Sequence, residues 1–240
     1  MRGVVVLLPP SEGKAPGGTR APWRPGSGRF GRRLGRRRTE VAEALAAAGG
    51  GDAKLLGVSG AHLERAQAAN ASVVGAPTLP AVERFTGVVW EHLDVTSLGA
   101  ADRRRAAERI VVVNALTGAS GLDDPLPDFR LKLSASLPPI GRLAAHWRPT
   151  LSEVLNDALA GSLVVDLLPA EHAAAWEPDT SCVEVVAVDL VDDAGRRVGH
   201  AAKAAKGLLA RALVSAPTAA AARRLLEGGW EGGGFRGLIR

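Results

Sequence analysis

Short runs of consecutive aliphatic residues stand out along the chain. Three of them end at a proline or an asparagine, and they lie within residues 2–8, 110–113 and 163–168. An uninterrupted apolar run of this length is typical of a strand covered on both faces of a sheet. We therefore predict three buried strands. Residues 183–190 and 197–200 add a predicted hairpin, because Asp-Asp-Ala-Gly at 192–195 favours a reversing turn.

Apolar residues recur three and four positions apart in much of the remaining chain, which predicts helices. These predicted helices cover residues 39–48, 61–69, 80–93, 101–109, 142–160, 201–214 and 219–226. Thr39 is the expected N-cap of the first helix, and Pro149 is expected to break the fifth. Gly87 leaves a gap in the third helix that suits a close contact.

Strands and helices mix irregularly, and no segment repeats. This arrangement predicts an α/β or α+β fold in which helices flank a mixed central sheet. A length of 240 residues suits a single domain spanning 1–240. The longest aliphatic run, Val4 to Leu8, is far shorter than the roughly 20 residues of a membrane span, and the N-terminus lacks the pattern of a secretory signal. We therefore expect a cytoplasmic protein with no membrane partner.

Positive charge is concentrated in one segment. The chain has a formal net charge of +5, whereas residues 15–39 hold eight arginines and no acidic residue. Such a block is typical of a site for nucleic acid or another polyanion, or of a solvated flexible arm without a partner. Trp23 and Phe30 lie within it and could stack on an unpaired base or anchor the segment. The candidate phosphate contacts here are Arg32, Arg33 and Arg36.

The loop at residues 9–14 follows the first strand in the way a phosphate-binding loop would. Leu8 stands where such a loop needs glycine, and Ala15 stands where it needs a hydroxyl. We therefore do not expect a nucleotide triphosphatase. Lys14 is either an anion contact at the strand end or an ordinary surface lysine.

A second group of cations lies on the predicted helix 201–214. Lys203, Gly207 and Arg211 are four residues apart and share one face, with Lys206 beside them. The missing glycine side chain would let a phosphate approach the helix closely. The alternative is an amphipathic helix whose cationic side faces water.

Acidic residues crowd the loop after the second strand. Asp124 and Asp128 could act as acid and base or bind a metal, and turn formation is the alternative role. The histidines are scattered, and Cys182 is the single cysteine, which excludes an intramolecular disulfide and a multi-cysteine zinc site. We predict no metal site and no cofactor.

Taken in order, several motifs resemble the YaaA family of bacterial peroxide stress proteins. Residues 9–14 read Pro-Pro-Ser-Glu-Gly-Lys, which is similar to the opening signature of one branch of that family. Further similar segments are Phe-Thr-Gly-Val-Val-Trp at 85–90, Asn-Ala-Leu-Thr-Gly at 114–118, Phe-Arg-Leu at 129–131 and Lys-Ala-Ala-Lys-Gly at 203–207. The ordered set extends from Val4 to Trp230.

The resemblance implies an unusual α/β fold with a positively charged cleft and a helix-hairpin-helix-like element, which residues 54–66 would supply. It also implies a response to hydrogen peroxide, a lowering of available iron and DNA binding. The DNA would be double-stranded or a junction, bound with little sequence specificity, because phosphate contacts position a strand without reading it. The family's cationic positions are matched by Lys14, Arg130, Lys203, Lys206 and Arg211.

The chain contains no tyrosine, although tyrosine is common at several positions of the family pattern. Any role that needs a tyrosine hydroxyl is therefore excluded. The alternative function is an enzyme for a small anionic or nucleotide-like substrate, with Lys14, Arg130 and Lys206 as binding groups and Asp124 or Asp128 as the base. A long positive surface would favour DNA, and a closed pocket would favour the enzyme. An interaction protein with a disordered basic arm would show neither.

Overall fold

Strands and helices are interspersed without a regular order in the computed structural model, which describes residues 3–192, 194–196 and 201–239. The strands are β1 (Val4–Leu8), β2 (Leu79–Pro80), β3 (Ile110–Asn114), β4 (Gly118–Ser120), β5 (Pro125–Leu126), β6 (Ser136–Leu137), β7 (Gly141–Arg142), β8 (Leu163–Asp166), β9 (Glu184–Asp192), β10 (Glu231–Gly232) and β11 (Phe235–Ile239). The helices are α1 (Gly31–Ala47), α2 (Ala53–Leu56), α3 (Gly60–Ala71), α4 (Ala81–Arg84), α5 (Val88–Leu93), α6 (Ala100–Arg109), α7 (Leu143–Leu159), α8 (Ala170–Ala173), α9 (Ala201–Ser215) and α10 (Ala219–Glu227), with a 3₁₀ turn at Val95–Ser97. No helix within these ranges is long and apolar enough to cross a membrane.

A mixed sheet with the strand order β10-β11-β9-β8-β1-β3-β4 forms the centre of the described chain. β1 pairs in parallel with β3 on one side and with β8 on the other, and β8 pairs in parallel with β9. Every residue of β1 and β3 is buried, as expected for strands covered on both faces. Helices α6 and α9 pack against β1. The predicted class, a mixed sheet flanked by helices, is confirmed.

The chain leaves β1 and β8 in opposite directions. From β1 it reaches β3 on one side, whereas from β8 it reaches β9 on the other side. Adjacent parallel strands whose connections diverge leave a crevice beyond their carboxyl ends, and open α/β sheets bind ligands in such crevices. The topology therefore marks the segments that follow Leu8 and Asp166 as the place to look for a site.

The basic segment is built into the fold. α1 begins at Gly31, well before the predicted start at Thr39. The Thr39 hydroxyl is not an N-cap but donates to the Gly35 carbonyl inside the helix. Trp23 and Phe30 are buried in the hydrophobic core. The interpretation of residues 15–39 as a solvated arm is therefore wrong.

Arg38 supplies the physical reason for the early start of α1. Its side chain is 1% exposed. The guanidinium donates hydrogen bonds of 2.6 to 3.0 Å to the carbonyls of Pro25, Ser27, Thr117 and Ala119. These contacts join the incoming loop, α1 and β4, so tertiary structure fixes a helix that the glycine and arginine pattern does not predict.

Residues 80–93 form two helices, α4 and α5, where one was expected. The break lies at Gly87, whose φ of +117° is unfavourable for other residues. A Cβ on Gly87 would lie 2.7 Å from the Ser11 hydroxyl oxygen. The close contact expected at Gly87 is therefore present, and it joins α5 to the loop after β1.

α7 continues through Pro149, so the expected break is wrong. The buried side chains of Trp147 and Leu151 hold the helix in the core on both sides of the proline. Their packing offsets the loss of the one backbone hydrogen bond that proline cannot donate.

The predicted hairpin is described in part. The turn after β9 forms as expected, with the Gly195 amide donating to the Asp192 carbonyl, and the predicted second arm at 197–200 lies outside the described residues. β9 pairs in antiparallel fashion with β11 from the C-terminal segment. Sequence reasoning missed this pairing because β11 follows a glycine-rich turn at 232–234 and is not itself an uninterrupted apolar run.

Candidate functional site

A cavity of about 450 Å³ opens at the carboxyl ends of β1 and β8. The loops after these strands form part of its wall, and α5 and α9 supply other parts. It thus occupies the crevice that the strand connections create. We call it the inner cavity. The cationic residues that line it are Lys14, Arg130, Lys132, Lys203 and Lys206.

The Lys14 ammonium is held among aromatic rings. Its Nζ donates to the Ser11 carbonyl at 2.9 Å and lies 4.5 Å from the centre of the Phe129 ring. Burial lowers the pKa of Lys14 to about 7, and the nearby Arg130 charge acts in the same direction. The side chain therefore changes charge near neutral pH and can bind an anion as an ammonium or release a proton.

Arg130 and Lys132 share one carboxylate. Glu12 accepts a hydrogen bond from Arg130 at 3.3 Å and lies 3.2 Å from Lys132 Nζ. Partial burial favours the neutral acid, but the hydrogen bonds and charges of Lys132 and Arg130 outweigh it and lower the pKa of Glu12. Asn70 in α3 fixes the backbone of Arg130 by bonding both its N–H and its carbonyl.

α9 brings two of its predicted cations to the cavity. Lys203 and Lys206 both line it, and Lys206 donates to the Leu167 carbonyl just beyond β8. Arg211 lies elsewhere and donates to the carbonyls of Leu93 and Asp94 at the end of α5.

The expected role of Gly207 is wrong. A Cβ at this position would lie 2.3 Å from the Val89 carbonyl oxygen, so the missing side chain lets α9 pack directly on α5. Gly207 therefore serves helix packing and does not admit a phosphate.

Two side chains that sequence reasoning missed line the inner cavity, and each carries a buried nitrogen atom. Trp90 and His172 are 7% and 8% exposed, and both line the inner cavity. Trp90 Nε1 and His172 Nδ1 have no hydrogen-bond partner among the described residues. Burial lowers the pKa of His172 to about 4, so its imidazole is neutral at pH 7. No spacing pattern links the two residues, because α5 and α8, which carry them, are distant in sequence.

A second cavity of about 310 Å³ adjoins the first, and we call it the outer cavity. Glu12, Lys14 and Arg130 line both of them. The outer cavity also contacts α3 through His62 and Arg65. α3 follows α2 after a left-handed turn at Gly57, so the predicted helix-hairpin-helix region does consist of two helices, the first a single turn.

The remaining candidates lie apart from the inner cavity. Asp128 lines the outer cavity and pairs with Arg65 at 2.9 Å. Asp124 lines neither cavity; it accepts hydrogen bonds from the backbone N–H groups of Arg29 and Gly121. Burial raises the pKa of Asp124. Asp124 thus holds its loop together, as the turn-forming alternative predicts. It does not line the cavity that contains the cations.

The α1 arginines also lie outside both cavities. Arg33 pairs with Glu153 and Asp157 of α7. Arg36 is 92% exposed and pairs with Glu40. Arg32 is exposed on the same helix. The structure therefore places these three arginines away from the cations that line the two cavities.

Comparison with known proteins decides the family. A family model described as peroxide stress protein YaaA matches residues 4–232 of the chain. This chain belongs to the YaaA family. Membership supports a role in peroxide stress, and it confirms the resemblance carried by the motifs at 9–14 and 203–207.

Three relatives are similar to this chain over most of its length. The UPF0246 protein SCO2297 of Streptomyces coelicolor is 38% identical over 220 residues, covering 90% of this chain and 85% of the relative. The UPF0246 protein Cgl1995/cg2186 of Corynebacterium glutamicum is 32% identical over 216 residues, covering 88% and 84%. The UPF0246 protein CE1889 of Corynebacterium efficiens is 32% identical over 217 residues, covering 89% and 86%.

In this YaaA family member, motifs that are far apart in sequence meet at the inner cavity. The opening signature supplies Lys14, the Phe-Arg-Leu segment supplies Arg130, and the late helix supplies Lys203 and Lys206. Sequence reasoning missed Lys132, although it lies two residues after Arg130, where an extended segment would place both side chains on one side. The described residues contain no group of three or more His, Cys, Asp or Glu side chains that could hold a metal ion.

Proposed function

We propose that this protein binds DNA in the course of a peroxide-stress response, through the cleft formed by the inner and outer cavities. One observation supports the proposal: Glu12, Lys14 and Arg130 line both cavities, so the two adjoin and share cations. A cationic groove across adjoining cavities can follow a backbone of repeating phosphates, whereas an isolated pocket holds a single anion.

Cations are distributed along this groove. Lys203 and Lys206 lie on the α9 side of the inner cavity, and Lys132 also lines that cavity. Lys14 and Arg130 lie where the cavities join, and Arg65 lies on the α3 side. Successive phosphates of one strand would meet them in turn. Ammonium and guanidinium groups bind phosphate oxygens of any sequence, so the protein would hold double-stranded or junction DNA with little base preference.

Cations outside the cleft have a lesser part in the proposal. Arg32 and Arg36 on α1 add long-range attraction for DNA without contacting it. Arg33 and Arg211 are held by α7 and by the end of α5, respectively, and stabilise the fold.

Fluorescence anisotropy of labelled duplex, junction and single-stranded DNA tests the proposal. We expect all sequences of one form to bind alike and the affinity to fall steeply between low and physiological salt, because each neutralised phosphate releases counterions. Absence of binding at low salt would overturn the proposal. Deletion of residues 15–39 is unsuitable as a test because Trp23, Phe30 and Arg38 belong to the core.

We extend the proposal to lowered iron availability, as the family resemblance implies. The test is cellular: chelatable iron is measured by electron paramagnetic resonance after peroxide treatment, in cells with and without this protein. Equal iron signals in the two strains would remove this part of the proposal and leave DNA binding untouched.

A small anionic ligand is the second candidate function. The volume of the inner cavity lies within the roughly 300 to 1,000 Å³ of small-molecule sites, and its position is where open α/β sheets bind such ligands. Lys14, Arg130 and Lys206 would bind the anion. Asp124 lines neither cavity, and Asp128 lines only the outer cavity, where it pairs with Arg65. Lys14 is therefore the group of the inner cavity that could accept a proton in this alternative.

A further inference from the structure

One residue that lines the inner cavity, Trp90, carries a hydrogen-bond donor for which the proposed phosphate binding gives no role. Trp90 is 7% exposed and lines the cavity, yet its Nε1–H has no partner among the residues that the structure describes. An indole N–H can only donate. A buried donor without an acceptor is costly, so this position calls for an acceptor on a ligand.

The same cavity combines an apolar wall with a charged side. Pro9, Pro10, Val88, Val89 and Leu131 supply apolar surface. Lys203 and Lys206 supply positive charge from α9. A ligand that satisfies both must therefore have a flat or apolar body with acceptor atoms and an anionic group attached to it.

We infer that the inner cavity binds one nucleoside monophosphate unit. Its base lies against the apolar wall and accepts a hydrogen bond from Trp90, and its phosphate lies between Lys203 and Lys206. Ring nitrogen and carbonyl oxygen atoms of a base are acceptors, which matches the donor-only indole. Inorganic phosphate would leave the apolar wall and Trp90 unused.

The neutral imidazole of His172 suits the same ligand. Its Nδ1 has no hydrogen-bond partner in the described chain, although it lies 3.5 Å from a Glu171 carboxylate oxygen. A neutral ring can donate to or accept from a base edge, depending on its tautomer. Trp90 and His172 together would thus fix the orientation of the base.

The nucleotide could be free or part of a DNA strand, because both present the same base and phosphate. The inference rests on the proposed function in that it uses the same cationic cleft. In the strand form, one unpaired nucleotide would enter the inner cavity while the neighbouring phosphates follow the groove.

Nuclear magnetic resonance of the full chain tests the inference through the indole N–H signals of tryptophan. The Trp90→Phe variant assigns the Trp90 signal. Trp176 is the internal control, because its Nε1 already donates to Asn156 and it does not line the cavity. Adenosine monophosphate, adenosine, inorganic phosphate and a short single-stranded oligonucleotide are added in separate titrations.

A shift of the Trp90 signal with adenosine monophosphate, at about tenfold higher affinity than with adenosine and with Trp176 unmoved, supports the free nucleotide. A shift with the oligonucleotide but not with the monophosphate supports the strand form. An unmoved Trp90 signal in all titrations overturns the inference, as does an equal shift with inorganic phosphate. DNA binding by anisotropy with an unmoved Trp90 would overturn this inference and leave the proposed function standing.

Discussion

The Glu12 carboxylate accepts a hydrogen bond from the Arg130 guanidinium at 3.3 Å, at the junction of the inner and outer cavities. The same carboxylate lies 3.2 Å from Lys132 Nζ. In the absence of a ligand, an internal anion therefore occupies two of the cations that the proposal assigns to DNA phosphates. A phosphate must compete with it or displace it.

Replacing Glu12 should strengthen DNA binding. The change Glu12→Gln removes the competing charge, and we expect a roughly twofold to fivefold increase in affinity at low salt, since one exposed ion pair is worth at most about 1 kcal/mol. Anisotropy measures it. Glu43→Gln on the exposed side of α1 makes the same change in net charge and should have a much smaller effect. Equal effects of the two variants would contradict competition at Arg130.

Anion binding should depend on pH through Lys14. Burial lowers the pKa of Lys14 to about 7, and a bound anion favours its protonated form. Affinity should therefore rise as the pH falls through 7 and decline above it, with proton uptake on binding. Calorimetry in buffers of different ionisation enthalpy measures that uptake.

Two variants test the assignment of this titration to Lys14. Lys14→Arg keeps a charge that does not titrate in this range, so it should retain binding with a flat pH profile. Lys14→Gln should bind more weakly with a flat profile. If both variants kept the pH dependence of the wild type, the titrating group would be a residue other than Lys14.

Arg38 should be essential for stability. Its replacement by methionine leaves two buried and two partly buried carbonyls without their donor, and we expect a loss of about 3 to 5 kcal/mol in the free energy of unfolding. Urea denaturation followed by circular dichroism measures the loss. Arg36→Met, on the exposed side of the same helix, should cost less than about 0.5 kcal/mol. Comparable losses in the two variants would contradict the structural role of Arg38.

Gly207 should tolerate no side chain. The Cβ of Gly207→Ala would lie 2.3 Å from the Val89 carbonyl, so we expect about 1 to 3 kcal/mol of destabilisation and a shift of α9 away from α5. Denaturation measures the cost. Gly99→Ala offers a control at the start of α6, because a Cβ there meets nothing within 4 Å. An unchanged stability of Gly207→Ala would show that the two helices are less closely packed than described.

Some of the fold could be predicted from local pattern. The apolar runs predicted β1, β3 and β8 to within two residues at each end, because strands buried on both faces need no alternation. The start of α1 could not be predicted, since it depends on carbonyl groups from β4 and from the preceding loop. β11 could not be predicted either, because its pairing with β9 is long-range and its sequence is not an uninterrupted apolar run.

The cations of the site could be predicted from the sequence, whereas its buried uncharged residues could not. Lys14, Arg130, Lys203 and Lys206 were marked by motifs, and the structure brings all four to one cavity. Arg211 lies on α9 with Lys203 and Lys206, but its side chain contacts the end of α5. The spacing of four residues does not reveal this difference in direction. Trp90 and His172 were missed because burial without a partner is a property of the folded chain.

A charge-matched pair of variants tests whether DNA lies in the cleft. Lys132→Gln with Lys203→Gln removes two cations from the cavity mouth, whereas Arg32→Gln with Arg36→Gln removes two exposed cations from α1. Both proteins lose the same net charge. Duplex DNA affinity is measured by anisotropy over a range of salt concentrations.

We predict that the cleft variant binds all duplex sequences more weakly. The slope of log affinity against log salt concentration should become shallower by roughly 0.9 for each of the two lost phosphate contacts. The α1 variant should keep the salt slope of the wild type. A cleft variant with unchanged affinity and slope, in a protein that remains folded, would contradict the account.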